Sequence, residues 1–292
     1  MLRRTLRPIS IKPHMSPVCE DHAALAAAAA GAGLCTIVGI EGSFSRRLGA
    51  QLAVHSDGSV TGSLADSCLE RELALEIAAG GQPRVIRYGA GSPKIDFRLP
   101  CGGGLDILID PSPDHAACAA VLEKLAGREE AALALPVVSL LPARRYVPAL
   151  RLLLLGEGPE LAAMARIAEA AGIIAECHSR EDSALALGQQ PENLAADRWT
   201  AVVLLFHDHE WEEALLDWAL RGPAFFIGAQ GGAPARRARA ARLAAIGYAA
   251  EQIARIASPI GTVGHSREPS ALALSVLAGI SGAYEIRHPH HG

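Results

Sequence analysis

The stretch LRLLLLGEGPELAAMARIAEAAGIIAECHSRED, residues 150–182, decides the fold of the second half of the chain. It predicts an apolar strand (151–155), a glycine turn, a helix (159–171) and a second strand (173–177). A strand, a glycine turn, a helix and another strand open a Rossmann-like sheet, with the ligand bound at the turn. We therefore predict a Rossmann-like parallel-sheet domain over residues 150–292, with Gly156 and Gly158 as candidate ligand-binding residues.

The same stretch departs from the dinucleotide-binding fingerprint in two places. The third glycine position holds Leu161, and His178 stands where an acidic residue would bind the ribose. Strands and helices nevertheless continue beyond it, with a strand over 200–206 and a helix over 209–221. The Rossmann-like fold is therefore expected, whereas NAD(P) is not expected to bind tightly.

The loop FHDHEW, residues 206–211, leaves two interpretations open. His207, Asp208 and His209 follow a predicted strand, so they could form a metal or acid–base site at the carboxyl edge of the sheet. The alternative is a polar loop, because no third ligand stands at a telling spacing.

The first half of the chain predicts an N-terminal mixed α/β domain over residues 1–140. Its main elements are helices over 20–31, 64–79 and 113–126, and strands over 34–41, 50–59, 83–89, 94–99 and 105–110. Strands alternate with helices in the second half, which favours a parallel sheet there. Prolines Pro136, Pro142 and Pro148 mark a linker at about 136–150. The predicted fold class is thus α/β, with the mixed domain followed by the Rossmann-like domain.

Composition narrows the function classes. The formal charge of −4 gives no electrostatic footprint for nucleic acid. The six cysteines include no CxxC pair, so a zinc or thioredoxin-like spacing is absent from the sequence and reduced thiols in the cytoplasm are expected. Residues 23–40 are apolar, but they divide at Gly31–Gly33 into a helix and a strand, so we expect no membrane span.

A loop with the sequence EGSFSRRLGA, residues 41–50, is suited to an anion. Ser43 and Arg46 supply a hydroxyl and a guanidinium, and Gly49 closes the loop. Arginine grips phosphate through two hydrogen bonds, and backbone amides beside glycine add donors. The alternative is a solvated basic hairpin.

Two cysteine motifs are further candidates. Cys68 lies near a predicted helix N-terminus, with Glu70 two residues later, and it is either a reactive thiol or a residue packed under the helix. Cys101 precedes three glycines, Gly102, Gly103 and Gly104, on a turn that enters a strand. It is either a thiol held open towards a ligand or a buried, inert cysteine.

The order of these motifs is more specific than any one of them. EGSFSRRLGAQLAV, DGSVTGSL, RLPCGGGLDILIDP, LLLLGEGPELAAMARIAEAAG and FFIGAQG follow one another over roughly residues 22–282. In this order the chain resembles the XdhC/CoxI family of maturation factors for molybdenum hydroxylases such as xanthine dehydrogenase. It departs from that family before Cys68, where ADS replaces paired glycines, and at His178 and Val263.

The resemblance implies a function that spacing alone does not. It implies an accessory chaperone, not an enzyme, that binds the molybdenum cofactor (molybdopterin) transiently, holds it for sulfuration by a cysteine desulfurase-type donor, and inserts it into an apo molybdenum hydroxylase. It also implies a homodimer. The implied cofactor-binding residues are Ser43, Arg46, Gly49, Cys68, Glu70, Cys101, Gly102, Gly103, Gly104, Gly156 and Gly158, with Cys101 also a possible metal ligand.

Two other functions stay open at this point. The Rossmann-like half could belong to an NAD(P)-dependent oxidoreductase, although the missing glycine and acidic residue count against that function. Alternatively, Cys68 or Cys101 could carry a persulfide, which is compatible with a role in cofactor sulfuration.

Overall fold

The computed structural model describes residues 20–64, 67–92, 102–181, 184–208, 210–264 and 266–287. The strand predicted over 94–99 lies outside these residues, and so do Cys101 and His209.

The N-terminal part is built around a five-stranded sheet with the order β3-β2-β1-β5-β4. In chain order its elements are α1 (Glu20–Ala29), β1 (Gly33–Glu41), β2 (Gln51–Val54), β3 (Val60–Gly62), α2 (Ser67–Ala78), β4 (Arg84–Gly89), β5 (Gly104–Asp110) and α3 (His115–Ala126). The predicted helices and the strands of β1, β2, β4 and β5 are confirmed. The three-residue β3 was not predicted, because it is too short to show a period.

The pairing within this sheet differs from the parallel pairing expected for the Rossmann-like half. All four neighbouring pairs of this sheet are antiparallel. The physical reason lies in the connections: β1, β2 and β3 follow one another through loops that contain no helix. A parallel neighbour needs a crossover of about a dozen residues or more, so such loops return the chain in the opposite direction.

Helices cover both faces of this sheet. α1 and α3 pack on one face through Leu25, Ala28 and Cys118, while α2 packs on the other through Leu69 and Leu73. β1 is therefore buried over its first seven residues, which explains why Thr36 is the one polar side chain in its buried part. Residues 23–40 form a helix, a turn at Gly31 (φ +109°) and a strand, as predicted. No helix among the described residues is long and apolar enough to cross a membrane.

A small hairpin follows, made of β6 (Ala131–Ala134) and β7 (Ala143–Tyr146). Arg144 on β7 is fully buried, and its Nε donates to the carbonyl of Gly49 at 2.6 Å. The Tyr146 hydroxyl donates to Gln51 Oε1 at 2.6 Å, so the hairpin docks on the N-terminal sheet. The expected linker at 136–150 therefore contains β7, and the division into domains stays a prediction.

The C-terminal part has a second five-stranded sheet with the order β12-β11-β10-β8-β9, in which every pair is parallel. Its elements are β8 (Arg151–Gly156), α4 (Gly158–Ala170), β9 (Ile174–His178), β10 (Thr200–Leu205), α5 (Glu212–Arg221), β11 (Phe226–Ala229), α6 (Ala233–Ala245), α7 (Ala250–Ile253), β12 (Ile256–Ala257) and α8 (Pro269–Glu285). The predicted Rossmann-like fold is confirmed. The direction of winding reverses between β8 and β10, which is where ligands bind in such sheets.

Direct contacts join the two parts. Arg128, just after α3, forms two hydrogen bonds with Asp197, just before β10, at 2.7 and 3.1 Å. Arg47 pairs with Glu285 at the end of α8 at 3.0 Å, and the Tyr284 hydroxyl donates to the carbonyl of Pro148 at 2.7 Å. The loop that carries Arg46 and Arg47 therefore lies against the C-terminal helix.

Candidate functional site

The three predicted motifs of the first half lie along one edge of the N-terminal sheet, the edge formed by the ends of its strands. β1 ends at Glu41, which pairs with Gly104 at the start of β5, and β4 ends at Gly89, which also pairs with Gly104. At the other side of the sheet Gly62, the end of β3, pairs with Leu52 at the start of β2. The loop 42–50, the segment from β3 into α2 and the turn before β5 therefore leave the same edge. We call it the motif edge.

Two of these motifs are in contact through the backbones of glycine residues. A Cβ atom added to Gly42 (φ +83°) would lie 3.5 Å from the Cα of Gly103. The carbonyl of Gly103 in turn accepts a hydrogen bond from Ala90 N at 2.9 Å. The structure thus brings the loop 42–50 against the glycines that follow Cys101.

Gly102 and Gly104 differ in their surroundings and therefore in their roles. Gly104 is buried, and a Cβ there would lie 2.7 Å from Cζ of Arg87 and 2.8 Å from the carbonyl of Ala90. Gly102 is exposed, its φ is +70°, and open space surrounds the position of a Cβ. Gly104 therefore admits a neighbouring guanidinium, whereas Gly102 presents left-handed, uncovered backbone to solvent.

That guanidinium belongs to a cluster that the sequence analysis missed. Arg87 on β4 donates to Asp106 Oδ2 at 3.0 Å and to the carbonyl of Ala90 at 2.9 Å, and it also pairs with Glu41. The cluster joins β1, β4 and β5 where the motif edge begins. The only sequence signal for it is the alternation of charged and apolar residues in RVIRYG and LDILID.

Within the loop 42–50 the charged groups face different surroundings. Ser43 and Arg46 are exposed, and Arg46 has no hydrogen-bond acceptor within the part of the chain that the structure describes. Arg47 is paired with Glu285. Gly49 is buried with φ +80°, and its N–H donates to the carbonyl of Ile37 at 2.8 Å. Arg46 is thus the guanidinium of this loop that is available to an anion, while Gly49 shapes the loop.

The second motif lies at the start of α2. Cys68 is exposed in the first turn of the helix. The Glu70 carboxylate accepts hydrogen bonds from the Ser63 hydroxyl at 2.9 Å and from Leu64 N at 3.2 Å. Glu70 therefore ties the helix start to the end of β3 and leaves Cys68 facing solvent at the motif edge.

The other described cysteines differ sharply in exposure. Burial raises the pKa of Cys35 to about 12 and that of Cys118 to about 11, so both thiols stay protonated and inert. Cys177 on β9 is exposed. No group of three or more His, Cys, Asp or Glu residues is arranged to hold a metal ion among the described residues, and Cys101 lies outside them.

The Rossmann turn has the expected glycine geometry. A Cβ on Gly156 would lie 2.7 Å from the carbonyl carbon of Leu205, so only glycine allows β8 and β10 to approach this closely. Gly158 has φ +84° and begins α4, with Pro159 directly after it. Both residues stand at the point where the sheet changes its direction of winding.

The charges at this turn do not suit a pyrophosphate. Arg180 pairs with Glu157 at 2.9 Å and lies 3.7 Å from Asp208, and Glu160 lies in the first turn of α4. Carboxylates would meet the ligand where a dinucleotide-binding turn offers backbone N–H groups to phosphate. His207 also lies here, with its Nε2 3.8 Å from Glu160 Oε2.

Comparisons with known proteins agree with this architecture. A family model described as "XdhC and CoxI family" matches residues 25–89, and one described as "XdhC Rossmann domain" matches residues 152–280. The Escherichia coli (strain K12) protein named molybdenum cofactor insertion chaperone PaoD is 31% identical over 296 residues, covering 92% of this chain and 91% of that protein. A crystal structure titled as a xanthine dehydrogenase from Bacillus halodurans superposes with a TM-score of 0.72 at 17% identity, covering 92% of this chain and 96% of that one.

Proposed function

This chain belongs to the XdhC/CoxI family, and from that premise we propose that it is an accessory chaperone for a molybdenum hydroxylase. In this proposal the chain binds the molybdenum cofactor as cargo, holds it while a terminal sulfur is installed, and inserts it into an apo-enzyme such as xanthine dehydrogenase. The relative named a molybdenum cofactor insertion chaperone supports the handling of this cofactor.

One observation supports a location for the cofactor on the molecule. At the motif edge the loop with the exposed Arg46 lies against the turn that follows Cys101, through the contact of Gly42 with Gly103. An uncommitted guanidinium beside uncovered backbone fits a flat cargo that ends in a phosphate. The residues present at this edge are thus chemically compatible with a phosphate-bearing pterin.

The residues take separate roles in this proposal. Arg46 and Ser43 bind the phosphate, the exposed Gly102 lets the pterin approach the backbone, and the buried Gly103 keeps the turn close to Gly42. Cys101 supplies a soft sulfur ligand beside the sulfur-rich molybdenum centre. Cys68 is an exposed thiol at the same edge, where it can receive sulfur from a donor. Gly156 and Gly158 remain candidates for a contact from the Rossmann-like part.

Three partners belong to the same proposal. The apo molybdenum hydroxylase receives the cofactor, a cysteine desulfurase-type protein supplies the sulfur, and a second copy of the chain completes a homodimer. We place the protein in the cytoplasm, where thiols such as Cys68 stay reduced. NAD(P) has no role in this proposal, because the Glu157 carboxylate lies in the Rossmann turn and that of Asp208 lies near the same arginine, Arg180.

Retention of the cofactor by an Arg46→Ala variant tests the assignment. We expect its affinity to fall by about 1–3 kcal/mol, roughly 5- to 150-fold, as for the loss of a hydrogen bond between charged groups. The measurement is equilibrium binding of purified molybdopterin, followed by its fluorescence after oxidation.

The matched control is Arg71→Ala, which removes the same charge from an exposed position on α2. An Arg46→Ala variant that binds the cofactor as tightly as the native chain would show that the loop 42–50 is a solvated hairpin. Equal weakening in both variants would reduce the role of Arg46 to long-range electrostatics.

A further inference from the structure

A second group of arginines lies away from the motif edge, in a groove at the junction of the two parts. One cavity of about 470 Å³ is lined by Glu130, Arg145, Val147, Arg198, Trp199 and Arg287. A neighbouring cavity of about 350 Å³ shares Arg198 and Arg287 and adds Phe225 and Arg255. We call the two together the junction groove, and each has the size of a small-molecule site.

The charge of this groove is strongly unbalanced. Its described lining contains four arginines but one carboxylate, Glu130, which pairs with Arg198 and lies 3.5 Å from Arg145. The nearby Asp197 is already committed to Arg128, and Glu285 to Arg47. Arg255 and Arg287 therefore face no carboxylate partner among the described residues, and an anion would relieve the mutual repulsion of the guanidiniums.

The guanidiniums are also held in place before any ligand arrives. Cζ of Arg198 lies 5.3 Å from the ring centroid of Trp199, and Cζ of Arg287 lies 5.2 Å from that of Phe225. Nη1 of Arg255 donates to the carbonyl of Leu220 at 2.9 Å, which leaves its other donors unused. Stacking and single backbone hydrogen bonds lower the entropy cost of ordering these side chains around an anion.

We propose that the junction groove binds a small phosphate-bearing ligand, with Arg198 and Arg287 as shared donors between its two cavities. Planar guanidiniums bind phosphate oxygens through two hydrogen bonds each, and several of them suit a diphosphate better than a single carboxylate. The groove lies at the amino ends of β10 and β11, where Trp199 and Phe225 precede these strands, so it is distinct from the Rossmann turn. This proposal stands independently of the function proposed above.

Isothermal titration of the full chain at low salt tests the proposal, with ADP, pyrophosphate and uncharged adenosine as probes. We expect saturable binding of pyrophosphate and ADP and none of adenosine. Equal affinity for the two anions would mean that the groove recognises phosphate alone, whereas tighter ADP binding would place the nucleoside in the second cavity. Either result supports the proposal.

An Arg198→Gln/Arg287→Gln double variant should bind both anions at least 10-fold more weakly, and Arg166→Gln, an exposed arginine on α4, should bind within twofold of the native chain. Arg198 and Arg287 are exposed, so the melting temperature of the double variant should show that it folds.

Three results would overturn the proposal. The first is no saturable binding of either anion by the native chain. The second is equal weakening by Arg166→Gln and by the double variant, which would indicate only a diffuse positive field. The third is binding of a poly-glutamate peptide without binding of either phosphate compound, which would make the groove a protein-docking surface.

Discussion

Gly104 illustrates how much a single residue position decides at the motif edge. It pairs with both Glu41 and Gly89, and its missing side chain leaves room for Arg87. The sequence suggests a ligand as the reason for three consecutive glycines. The structure gives Gly104 an internal reason instead, the close approach of Arg87 and of the Ala90 carbonyl, and leaves Gly102 as the glycine that faces solvent.

We expect Gly104→Ala to lower the free energy of unfolding by about 1–3 kcal/mol, because the added methyl group would collide with the Arg87 guanidinium and the Ala90 carbonyl. Gly282→Ala is the matched control: Gly282 lies within α8 with open space around its Cβ position, so alanine should be neutral or stabilising by up to about 1 kcal/mol. Urea unfolding of the two variants and the native chain measures both effects. Equal stability of Gly104→Ala and native protein would mean that Arg87 moves away at little cost.

At the start of α2, one side chain has both a structural contact and a predicted role in cofactor binding. Glu70 is a predicted cofactor-binding residue, yet its carboxylate is engaged by Ser63 and by Leu64 N. If its role is to anchor the helix, Glu70→Ala should cost about 1 kcal/mol of stability, as for the loss of a helix cap, and leave cofactor affinity unchanged.

Thermal unfolding and cofactor binding of Glu70→Ala, measured side by side, separate the two roles. Loss of affinity at unchanged stability would contradict the anchoring role and make Glu70 a binding residue. Glu213→Ala, at an exposed position in the first turn of α5, provides the control for removing a carboxylate near a helix N-terminus.

Long helices and strands were predictable from the sequence, whereas short strands, and the partner beside which each strand lies in its sheet, were not. The β8–α4–β9 unit shows itself through an apolar run, a glycine turn and a helical period. β3 and β12 have three and two residues, too few to show an alternating pattern. β7 lies between Pro142 and Pro148, and these prolines indicate a linker instead of a strand. The pairing of Glu41 with Gly104 joins residues far apart in the chain, and no local pattern encodes that register.

For the whole molecule, Asp197 couples the contact between the two parts to pH. Burial raises its pKa, but hydrogen bonds from Arg128, Thr200 and Trp199 N outweigh that effect and lower the pKa to about 2. A carboxyl whose pKa is lower in the folded chain stabilises it above the unfolded pKa of about 3.9, and this contribution is lost as the pH falls from about 4 to 2.

Asp197→Asn should therefore cost stability at pH 6 and lose less of it on acidification than the native chain does. The expected difference at pH 6 is roughly 1–2 kcal/mol, reduced from the full linkage value because the side chain is 27% exposed. Urea unfolding of both proteins at pH 6 and pH 3 measures it. Parallel pH dependences would mean that the Arg128–Asp197 pair contributes nothing measurable to the contact.

The central claim is that the motif edge carries the molybdenum cofactor, and the most direct test is the ligand content of the chain purified from a host that makes this cofactor. Molybdenum is measured by elemental analysis and the oxidised pterin by fluorescence, for the native chain, Cys101→Ser and Cys177→Ser. We predict near-stoichiometric molybdenum and pterin in the native chain and in Cys177→Ser, and neither in Cys101→Ser. A native chain that contains neither, even after the cofactor is added, would contradict the account.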